Sequence, residues 1–432
     1  MTDQICKTDT MRHVVVIGGG IVGVTAAVVL RQKGYKVSLV STDTPGSQDT
    51  ASYGNAGWLS PGSVVPLSMP GMWKKIPSYL FSQQSPLRLR LSAVPQACSW
   101  LVRFVLSGAT QVKARQIATH LRPFLAECVV RHKMLAQAMG QPDFIQEQGL
   151  LIVYPNEASY QADSFAWQLR KENQVIWNTL DRPALDKLCP TLSAHYQFGA
   201  YLPQGGHCNN PGGYVAALAE YAKKQGVVFI TDCVEGVRQV AGSVASVVCQ
   251  GHELECDQVI IAAGIGARKL ASQIGDYLPL MSERGYHVEL PGTTQALSLP
   301  VMMSDLKFGI TPMAKGLRAA GQVEFAPKKA PPDWRRAHIL YRCLSAGLPN
   351  LEKPSFASVQ RWMGNRPSTP DCLPVVSQSA HIRGVLYATG HGHLGLASAP
   401  YTAELLVQLL SSEHVTEAEP YTIKRFGFNS AK

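Results

Sequence analysis

Glycines near the amino terminus have the spacing of a phosphate-binding turn. Residues 18–23 are Gly-Gly-Gly-Ile-Val-Gly, a GxGxxG pattern. The first glycine of such a pattern allows a tight turn, the second lets a pyrophosphate approach the backbone, and the third lets a helix pack closely on the strand. Free N–H groups at the start of that helix favour a bound negative charge. The residues predicted to hold a nucleotide here are Gly18, Gly20, Ile21, Val22 and Gly23.

The position that usually carries an acidic residue for the ribose hydroxyls is occupied by Ser41. Ser41 could make one hydrogen bond to the ribose, or Asp43 could reach it, and both alternatives remain open. We also include Thr42 among the predicted contacts. The missing acid argues against free NAD as the ligand.

Two later segments are rich in small and polar residues. Residues 50–57 would let backbone pass near a large flat ligand, and Ser52 and Asn55 in it offer hydrogen bonds. Taken alone, this segment predicts only a loop. Residues 389–395, Thr-Gly-His-Gly-His-Leu-Gly, precede a predicted helix, and their N–H groups could stabilise negative charge that develops on a ring carbonyl. The two histidines have no third ligand candidate nearby, so we predict no metal.

The elements around these motifs predict a nucleotide-binding fold. A strand at 14–17, a helix at about 22–33 and a strand at 37–40 form a βαβ unit of the expected size. Further strands are expected at 258–262 and 384–389. We assign the α/β (α+β) class, a Rossmann-like domain interleaved with a mixed-sheet substrate domain.

Composition bounds the remaining alternatives. The 432 residues are 46% hydrophobic and 16% charged, which excludes a disordered chain and favours two joined domains. The net charge of +10 suits nucleic acid, an anionic membrane surface or an anionic small molecule equally well. Ten scattered cysteines without a CxxC pair predict a reduced, cytoplasmic protein. The apolar run at 14–30 resembles a signal peptide, but its glycines favour the nucleotide turn.

The three motifs, in this order, resemble the D-amino-acid dehydrogenase small-subunit family within the D-amino-acid oxidase-like flavoproteins. The resemblance runs from about Arg12 to Leu410. Its most specific pieces are 52–57 continuing into 60–62, then 366–371, and 390–395. Residues 390–396 also look like members that act on D-hydroxyproline.

The resemblance implies extended FAD, with its pyrophosphate on residues 18–23 and its isoalloxazine between residues 55–57 and 392–395. Relatives that tether the flavin use a cysteine where this chain has Gly364, so non-covalent FAD is expected. The further FAD contacts implied are Ser41, Thr42, Ser52, Asn55, Ala56, Gly57, Val234, Ala263, Gly264, Arg366, Gly392, His393, Leu394 and Gly395.

The resemblance also implies a substrate site. In relatives, residues 279–286 end one strand and open another that crosses toward the substrate domain. A substrate carboxylate needs a guanidinium fork and a hydroxyl, and Tyr286, Arg284 and Arg366 are the candidates. Arg284 could equally be a structural ion-pair residue. His393 is also placed in the catalytic group, while Tyr53 and His207 are weaker candidates.

The implied reaction is dehydrogenation of a D-amino or cyclic imino acid such as D-hydroxyproline, D-proline or D-alanine, by hydride transfer from Cα to flavin N5. Electrons would pass to a quinone or another respiratory acceptor. The alternatives are an oxygen-using amino-acid or sarcosine-type oxidase and a non-catalytic FAD-binding subunit. The implied domains are an FAD-binding domain of 11–66, 204–283 and 355–432, and a substrate domain of 67–203 and 284–354.

The basic, aromatic stretch from 72–76 through 87–91 is predicted either to dock on an anionic membrane or to be a solvated helical face. Docking would place the protein peripherally on the inner face of the cytoplasmic membrane. Its aromatic residues are too sparse for nucleic-acid binding.

Overall fold

The computed structural model describes residues 11–75, 85–326, 330–412 and 414–427. Residues 1–10, on which we predicted a loose leader, and Ile76 of the basic stretch lie outside them. The helices are α1 (Ile21–Gln32), α2 (Val94–Ser107), α3 (Gln111–Leu125), α4 (Cys128–Ala138), α5 (Glu157–Ala162), α6 (Ser164–Glu172), α7 (Arg182–Leu188), α8 (Pro211–Lys224), α9 (Ala267–Gln273), α10 (Arg335–Gly347) and α11 (Gly395–Ser411).

The strands of the described residues form four sheets. They are β1 (His13–Ile17), β2 (Lys36–Ser41), β3 (Trp58–Leu59), β4 (Leu87–Leu89), β5 (Ile145–Gln146), β6 (Leu150–Tyr154), β7 (Asn178–Asp181), β8 (Phe198–Leu202), β9 (Gly206–Cys208), β10 (Val228–Thr231), β11 (Val234–Val240), β12 (Ser243–Cys249), β13 (His252–Glu255), β14 (Gln258–Ile261), β15 (Met281–Pro291), β16 (Val301–Met303), β17 (Phe308–Met313), β18 (Gly316–Phe325), β19 (Gln360–Ser368), β20 (Val375–Gln378) and β21 (Val385–Thr389).

A six-stranded sheet carries the predicted nucleotide turn. Its order is β10-β2-β1-β14-β21-β20, and only β20 runs antiparallel to its neighbour. The chain leaves β1 toward β2 on one side and returns to β14 on the other, so the strand order reverses at β1. Ligands of open α/β sheets bind outside the carboxyl ends of the strands at such a reversal. The carboxyl ends of β1, β2 and β14 therefore mark the expected nucleotide crevice.

Helix α1 follows β1 directly and packs against α8 and α11. Its apolar residues Val24, Ala27 and Leu30 are fully buried. Gly34 ends the helix with a φ of +89°, a left-handed conformation that glycine adopts without steric cost. The predicted βαβ unit is present, with boundaries within one residue of those expected.

The second large sheet is mixed, with the order β19-β15-β18-β17-β16-β6-β8-β7 and with β4 paired to β18. Helix α10 covers one face with Ala337, Leu340 and Leu344, which are fully buried. The other face meets the loop around Gly54, because the His287 ring nitrogen Nδ1 lies 3.2 Å from the Gly54 carbonyl. This second face is called the inner face below, and the face under α10 the outer face.

Several sequence predictions about local structure are wrong in detail. Residues 281–291 form one continuous strand, so no strand ends within 279–286. Leu87–Leu89 is a strand paired in parallel to β18, which rules out the solvated helical face there. Helix α11 begins at Gly395, the last residue of the segment that we predicted to precede it.

The domain division stays a prediction, although residues 360–368 pair with β15 in the mixed sheet. Within the described parts of the chain, we find no helix that is both long enough and apolar enough to cross a bilayer.

Candidate functional site

The turn between β1 and α1 needs glycine at two positions for steric reasons. Gly18 has a φ of +119°, and a Cβ atom there would lie 2.5 Å from the Ala262 carbonyl oxygen. A Cβ atom on Gly23 would lie 2.0 Å from the Gly18 oxygen. Gly20 differs, because the nearest atom to its Cβ position is Ser52 Oγ at 3.4 Å. Gly18 and Gly23 are therefore required by the shape of the turn, and Gly20 borders open space.

The start of α1 offers N–H groups toward that space. The Ile21 amide donates to Ser52 Oγ over 3.0 Å, and the N-cap residue Gly20 has no side chain. Val22 and Gly23 occupy the next two positions, where a helix supplies no internal acceptor. No acidic residue lies in the first turn. This arrangement suits a bound anion.

The ribose-side candidates gather at the carboxyl end of β2. Ser41 pairs with Thr231 of β10, and its backbone oxygen accepts from the Asp232 amide over 3.1 Å, which brings Val234 to the same edge. Ser41 Oγ accepts from the Asp43 amide over 3.3 Å. Thr42 is exposed between them. Whether Ser41 or Asp43 contacts the ribose stays a prediction.

The two glycine-containing loops meet although they are far apart in the chain. Asn55 Nδ2 donates to the His393 carbonyl oxygen over 3.4 Å, and Asn55 Oδ1 accepts from the Gly57 amide over 2.8 Å. Gly57 has a φ of +79°, and a Cβ there would lie 2.4 Å from the Cys208 oxygen. The Ala56 carbonyl accepts from Thr311 Oγ1 over 2.8 Å. Residues 55–57 thus lie directly beside residues 392–395.

A buried ion pair supports the first of these loops. Arg318 Nη2 donates to Glu289 Oε2 over 2.7 Å, while its Nη1 donates to the Tyr53 and Asn55 carbonyl oxygens over 3.0 and 2.6 Å. A guanidinium can make these contacts together because its donors form a rigid planar fork. Neither Arg318 nor Glu289 was among the site residues predicted from the sequence. Tyr53 packs under the Arg318 guanidinium, 6.0 Å from ring centroid to Cζ.

The loop before α11 is fixed from several sides. Thr389 Oγ1 donates to the Gly264 oxygen over 3.0 Å, which brings 263–264 beside it. His391 is buried with Nε2 3.0 Å from Thr402 Oγ1, and burial lowers its pKa to about 3. The Leu394 carbonyl accepts from Ser398 Oγ over 2.8 Å. His391 is therefore a neutral, structural residue.

Pro400 in the first turns of α11 lacks the N–H group that would donate to the Leu396 carbonyl. His132 Nε2 donates to that oxygen instead over 2.7 Å, and its Nδ1 accepts from the Tyr214 hydroxyl over 2.9 Å. Burial lowers the pKa of His132 to about 4. A neutral imidazole on α4 thereby completes the helix next to the glycine loop.

Arg366 lies on the inner face of the mixed sheet, beside that loop. Its guanidinium covers Gly285, where a Cβ would be 2.3 Å from Nη2, and its Nη1 donates to Glu283 Oε1 over 3.1 Å. Glu283 Oε2 also accepts from Ser368 Oγ over 2.9 Å. The Arg366 side chain keeps 18% of its surface exposed, whereas the Glu283 side chain keeps 5%.

His393 is the titratable group nearest to this pair within the loop. Its side chain is exposed, although many protein atoms surround it, as happens in a recess. The resulting loss of hydration lowers its pKa, the negative charge of Glu283 opposes that shift, and the positive charge of Arg366 adds to it. Arg366, Glu283 and His393 therefore share one electrostatic environment.

Arg284 and Tyr286 lie on the outer face instead. Successive side chains of a strand point to opposite faces, so 284 and 286 face away from 283, 285 and 287. The Tyr286 hydroxyl donates to Glu324 Oε2 over 2.6 Å, and Arg284 Nη2 donates to the Ala330 oxygen over 2.8 Å. Both residues are at most 1% exposed. The structure does not bring them together with Arg366, and the ion pair of Arg284 with Glu324 matches the structural alternative.

Comparison with known proteins fits this geometry. The model of the DAO family, FAD dependent oxidoreductase, matches residues 13–409. The chain belongs to this family. A D-amino-acid oxidase of Bradyrhizobium diazoefficiens is 39% identical over 403 residues, covering 93% of this chain and 96% of that protein. A D-amino acid dehydrogenase of Vibrio vulnificus is 29% identical over 416 residues, covering 92% and 96%.

The fold is also that of solved structures. The L-amino acid deaminase from Proteus vulgaris superposes with a TM-score of 0.73 at 17% sequence identity, covering 96% of this chain and 97% of that one. The DAO-type fold and membership of an FAD-dependent family confirm the resemblance, the fold class and FAD as the cofactor.

The residues present fit FAD. The open space at Gly20 and the N–H groups of Val22 and Gly23 accept an anionic pyrophosphate, and the loops at 55–57 and 392–395 meet at one place. Gly264 and Gly392 both have a φ of +53°, and no protein atom lies within 4 Å of a Cβ built on Gly264. A planar ring system can approach backbone of this kind closely.

One group of potential metal ligands occurs in the described part of the chain. Asp232, Cys249 and His252 place one ligand atom each within 4.8 Å of the others. His252 Nδ1 lies 3.2 Å from Asp232 Oδ2, which is an ordinary ion-pair distance. Our sequence prediction that the protein binds no metal stays a prediction.

Proposed function

We propose that the protein oxidises a D-amino or cyclic imino acid and that Arg366 binds the substrate carboxylate. One observation carries the proposal: a partly exposed guanidinium lies beside His393, in the loop that Asn55 joins to residues 55–57. A guanidinium fork is the side chain best matched to a carboxylate. Arg366 replaces Arg284 and Tyr286 as the principal candidate.

Glu283 positions this arginine. Its carboxylate accepts from Arg366 Nη1 and from Ser368 Oγ, so one edge of the guanidinium is fixed. The other two nitrogens, Nε and Nη2, are then held in a fixed position and remain as donors for a substrate carboxylate. Fixing the fork before the substrate arrives lowers the entropic cost of binding. The carboxylate would therefore bind in one orientation.

His393 contributes a neutral imidazole. Because the loss of hydration lowers its pKa below the usual 6.5, the imidazole is mainly neutral at pH 7 and adds no positive charge beside the Arg366 guanidinium. When bound, FAD supplies the acceptor for the two electrons and the hydrogen of the substrate Cα–H bond. The protein groups bind and orient the substrate and need no general acid or base once the amine is neutral.

The D configuration rests on the names of the relatives, whereas the candidate substrates D-alanine, D-proline and D-hydroxyproline rest on the family resemblance of the sequence. The relatives from Bradyrhizobium and Vibrio are both named for D-amino acids. The solved deaminase is named for L-amino acids, and at 17% identity it supports the fold alone. We retain non-covalent FAD as a proposal, because Gly364 offers no nucleophile and the Trp362 ring already lies against it.

The electron acceptor is proposed to be a quinone or another respiratory carrier. Trp73 is 60% exposed and the Lys74 ammonium lies 5.7 Å from its ring centroid, which suits peripheral contact with an anionic membrane. A specific observation favours molecular oxygen as the alternative: the 39% identical relative is named an oxidase. If the protein were instead a non-catalytic FAD-binding subunit, no amino acid would reduce its bound flavin.

One experiment separates these alternatives. The holoprotein is titrated anaerobically with D-proline, D-hydroxyproline, D-alanine, sarcosine and the L forms while the flavin absorbance is followed. We expect bleaching by a D or cyclic substrate, and flavin that stays oxidised with all of them would refute the proposal. Hydrogen peroxide release in air, compared with reduction of a soluble quinone, then identifies the acceptor.

A further inference from the structure

A pocket of about 510 Å³ lies on the outer face of the mixed sheet, away from Arg366. Arg88 of β4 pairs with Glu324 of β18, and Glu324 pairs in turn with Arg284 of β15. Directly paired residues share a face, so this pocket is separated from Gly285 and His287 by the sheet itself. A volume of this size is typical of a small-molecule site.

The wall of the pocket is rich in guanidinium groups. Arg88, Arg90 and Arg335 line it together with Glu324 and Asp333. Two more arginines lie against the same carboxylates from behind. They are Arg284, 3.5 Å from Glu324, and Arg336, 3.9 Å from Asp333.

The two carboxylates are each shared between two arginines. Glu324 accepts from Arg90 Nε over 2.6 Å as well as facing Arg284. Asp333 accepts from Arg335 Nε over 2.8 Å. The five arginines and two acids leave an excess of three positive charges around one concave surface.

Like charges on one surface repel one another, so a bound anion would stabilise such a group of arginines. Arg336 lies against this group: burial lowers its pKa most, Asp333 opposes that shift, and the charges of Arg88 and Arg335 add smaller contributions to it. A multiply charged anion in the pocket would relieve the repulsion between the arginines. Guanidinium forks bind phosphate and carboxylate oxygens with two parallel hydrogen bonds.

We propose that this outer-face pocket binds a multiply charged oxyanion, either a phosphorylated compound or a dicarboxylate, as a second site distinct from the substrate site. The site is built from three chain segments, β4, β18 and the start of α10, and it uses none of the residues that face the glycine loops.

The test is isothermal titration calorimetry of the full-length holoprotein with pyrophosphate and, in a second arm, succinate, at 50 mM and 200 mM NaCl. We expect saturable one-site binding of at least one probe, weakened by salt. The arm that binds more tightly distinguishes a phosphate from a dicarboxylate source. Absence of saturable binding by both probes at 50 mM NaCl would overturn the proposal.

Variants locate the binding. The double variant Arg88→Ala/Arg335→Ala is expected to weaken binding about 100-fold, because removing each charge-assisted hydrogen-bonding group weakens binding about tenfold. The matched control Arg238→Ala/Arg383→Ala removes two exposed arginines near the β11–β13 sheet and should change affinity less than about twofold. Equal weakening in both pairs would show a non-specific charge effect and refute the site.

A variant that is expected to bind the anion more tightly provides a test that misfolding cannot mimic. Asp333→Asn removes one competing carboxylate and frees the Arg335 fork, so the affinity for the anion should rise severalfold. Unchanged or reduced affinity would contradict the charge-excess argument. Because binding is measured without substrate, a negative result here leaves the proposed oxidation untouched, and the reverse also holds.

Discussion

Replacing Arg366 with alanine gives the sharpest test of the substrate site. The guanidinium already donates Nη1 to Glu283, and its side chain is 18% exposed, so we expect its remaining fork to hold the substrate carboxylate. Truncation removes that fork and leaves Glu283 as an unpaired buried acid beside the bound carboxylate. Both changes should weaken binding of the carboxylate.

The magnitude follows from the number of hydrogen bonds that the substitution removes. Two charge-assisted bonds in a largely buried site contribute about 1.5 kcal/mol each. Their removal, about 3 kcal/mol, corresponds to a decrease of about 150-fold in kcat/KM for D-alanine. The fold should survive, because the side chain lies over Gly285 rather than within a hydrophobic core.

The assay pairs the variant with a substrate that lacks the carboxylate. In the unmodified protein, D-alaninol should react about 150-fold less efficiently than D-alanine, whereas in Arg366→Ala the two should react with similar efficiency. Arg361→Ala is the matched control, because Arg361 lies on the same strand, is exposed, and stacks 5.3 Å from the Trp334 ring. Flavin content is measured for each variant by its absorbance ratio.

Two results would refute the reasoning. Equal decreases on D-alanine and D-alaninol in Arg366→Ala would mean that the arginine acts on the cofactor or the fold and does not bind the carboxylate. An unchanged KM for D-alanine would mean that another group binds it.

Four other substitutions probe the cofactor site and the fold. Gly20→Val should fold but purify without flavin, because Gly20 has an ordinary φ of −75° and its Cβ position is open. Gly23→Ala should instead lower the melting temperature, because its Cβ would lie 2.0 Å from a backbone oxygen. Stoichiometric flavin in Gly20→Val would contradict the pyrophosphate placement. Asn55→Asp keeps the acceptor for the Gly57 amide but loses the donor to the His393 carbonyl, so flavin should dissociate about five- to tenfold more readily in a dilution assay. If the variant retained its flavin as well as the unmodified protein, the contact between the two loops would not stabilise bound flavin. Burial lowers the pKa of His132 to about 4 in the folded protein, while the unfolded value is near 6.5, so its contribution to stability is complete above about pH 6.5 and is lost as the pH falls toward 4. Between pH 7 and pH 5, His132→Gln should therefore lose about 2 kcal/mol less stability than the unmodified protein in urea denaturation. Identical losses in the two proteins would disprove this.

The nucleotide half of the molecule could be predicted from sequence because its signals are local. The glycine spacing at 18–23, the flanking strand and the helix stop at Gly34 all lie within one βαβ unit, where steric rules act between near neighbours. The later motifs at 50–57 and 389–395 were recognised by resemblance, and the family match confirms that resemblance.

The substrate half was predicted less well. The segment around 279–286 was taken as the junction of two strands, but β15 runs unbroken from Met281 to Pro291. Side chains in a continuous strand alternate between faces, so Glu283 faces the glycine loops while Arg284 and Tyr286 face α10. The alternation itself was a usable signal for Glu283, had the strand been recognised as continuous.

The sequence by itself determined the turn chemistry, the fold class and the family, because these depend on residue type and short spacing. Only the tertiary structure decided which arginine faces the loops, since strand register and face arise from pairing between distant segments. It also decided that Asn55 meets His393, 338 positions away, and that arginines from three segments surround one outer pocket. Contacts of this kind depend on how the sheets pack, and no local pattern in the chain encodes them.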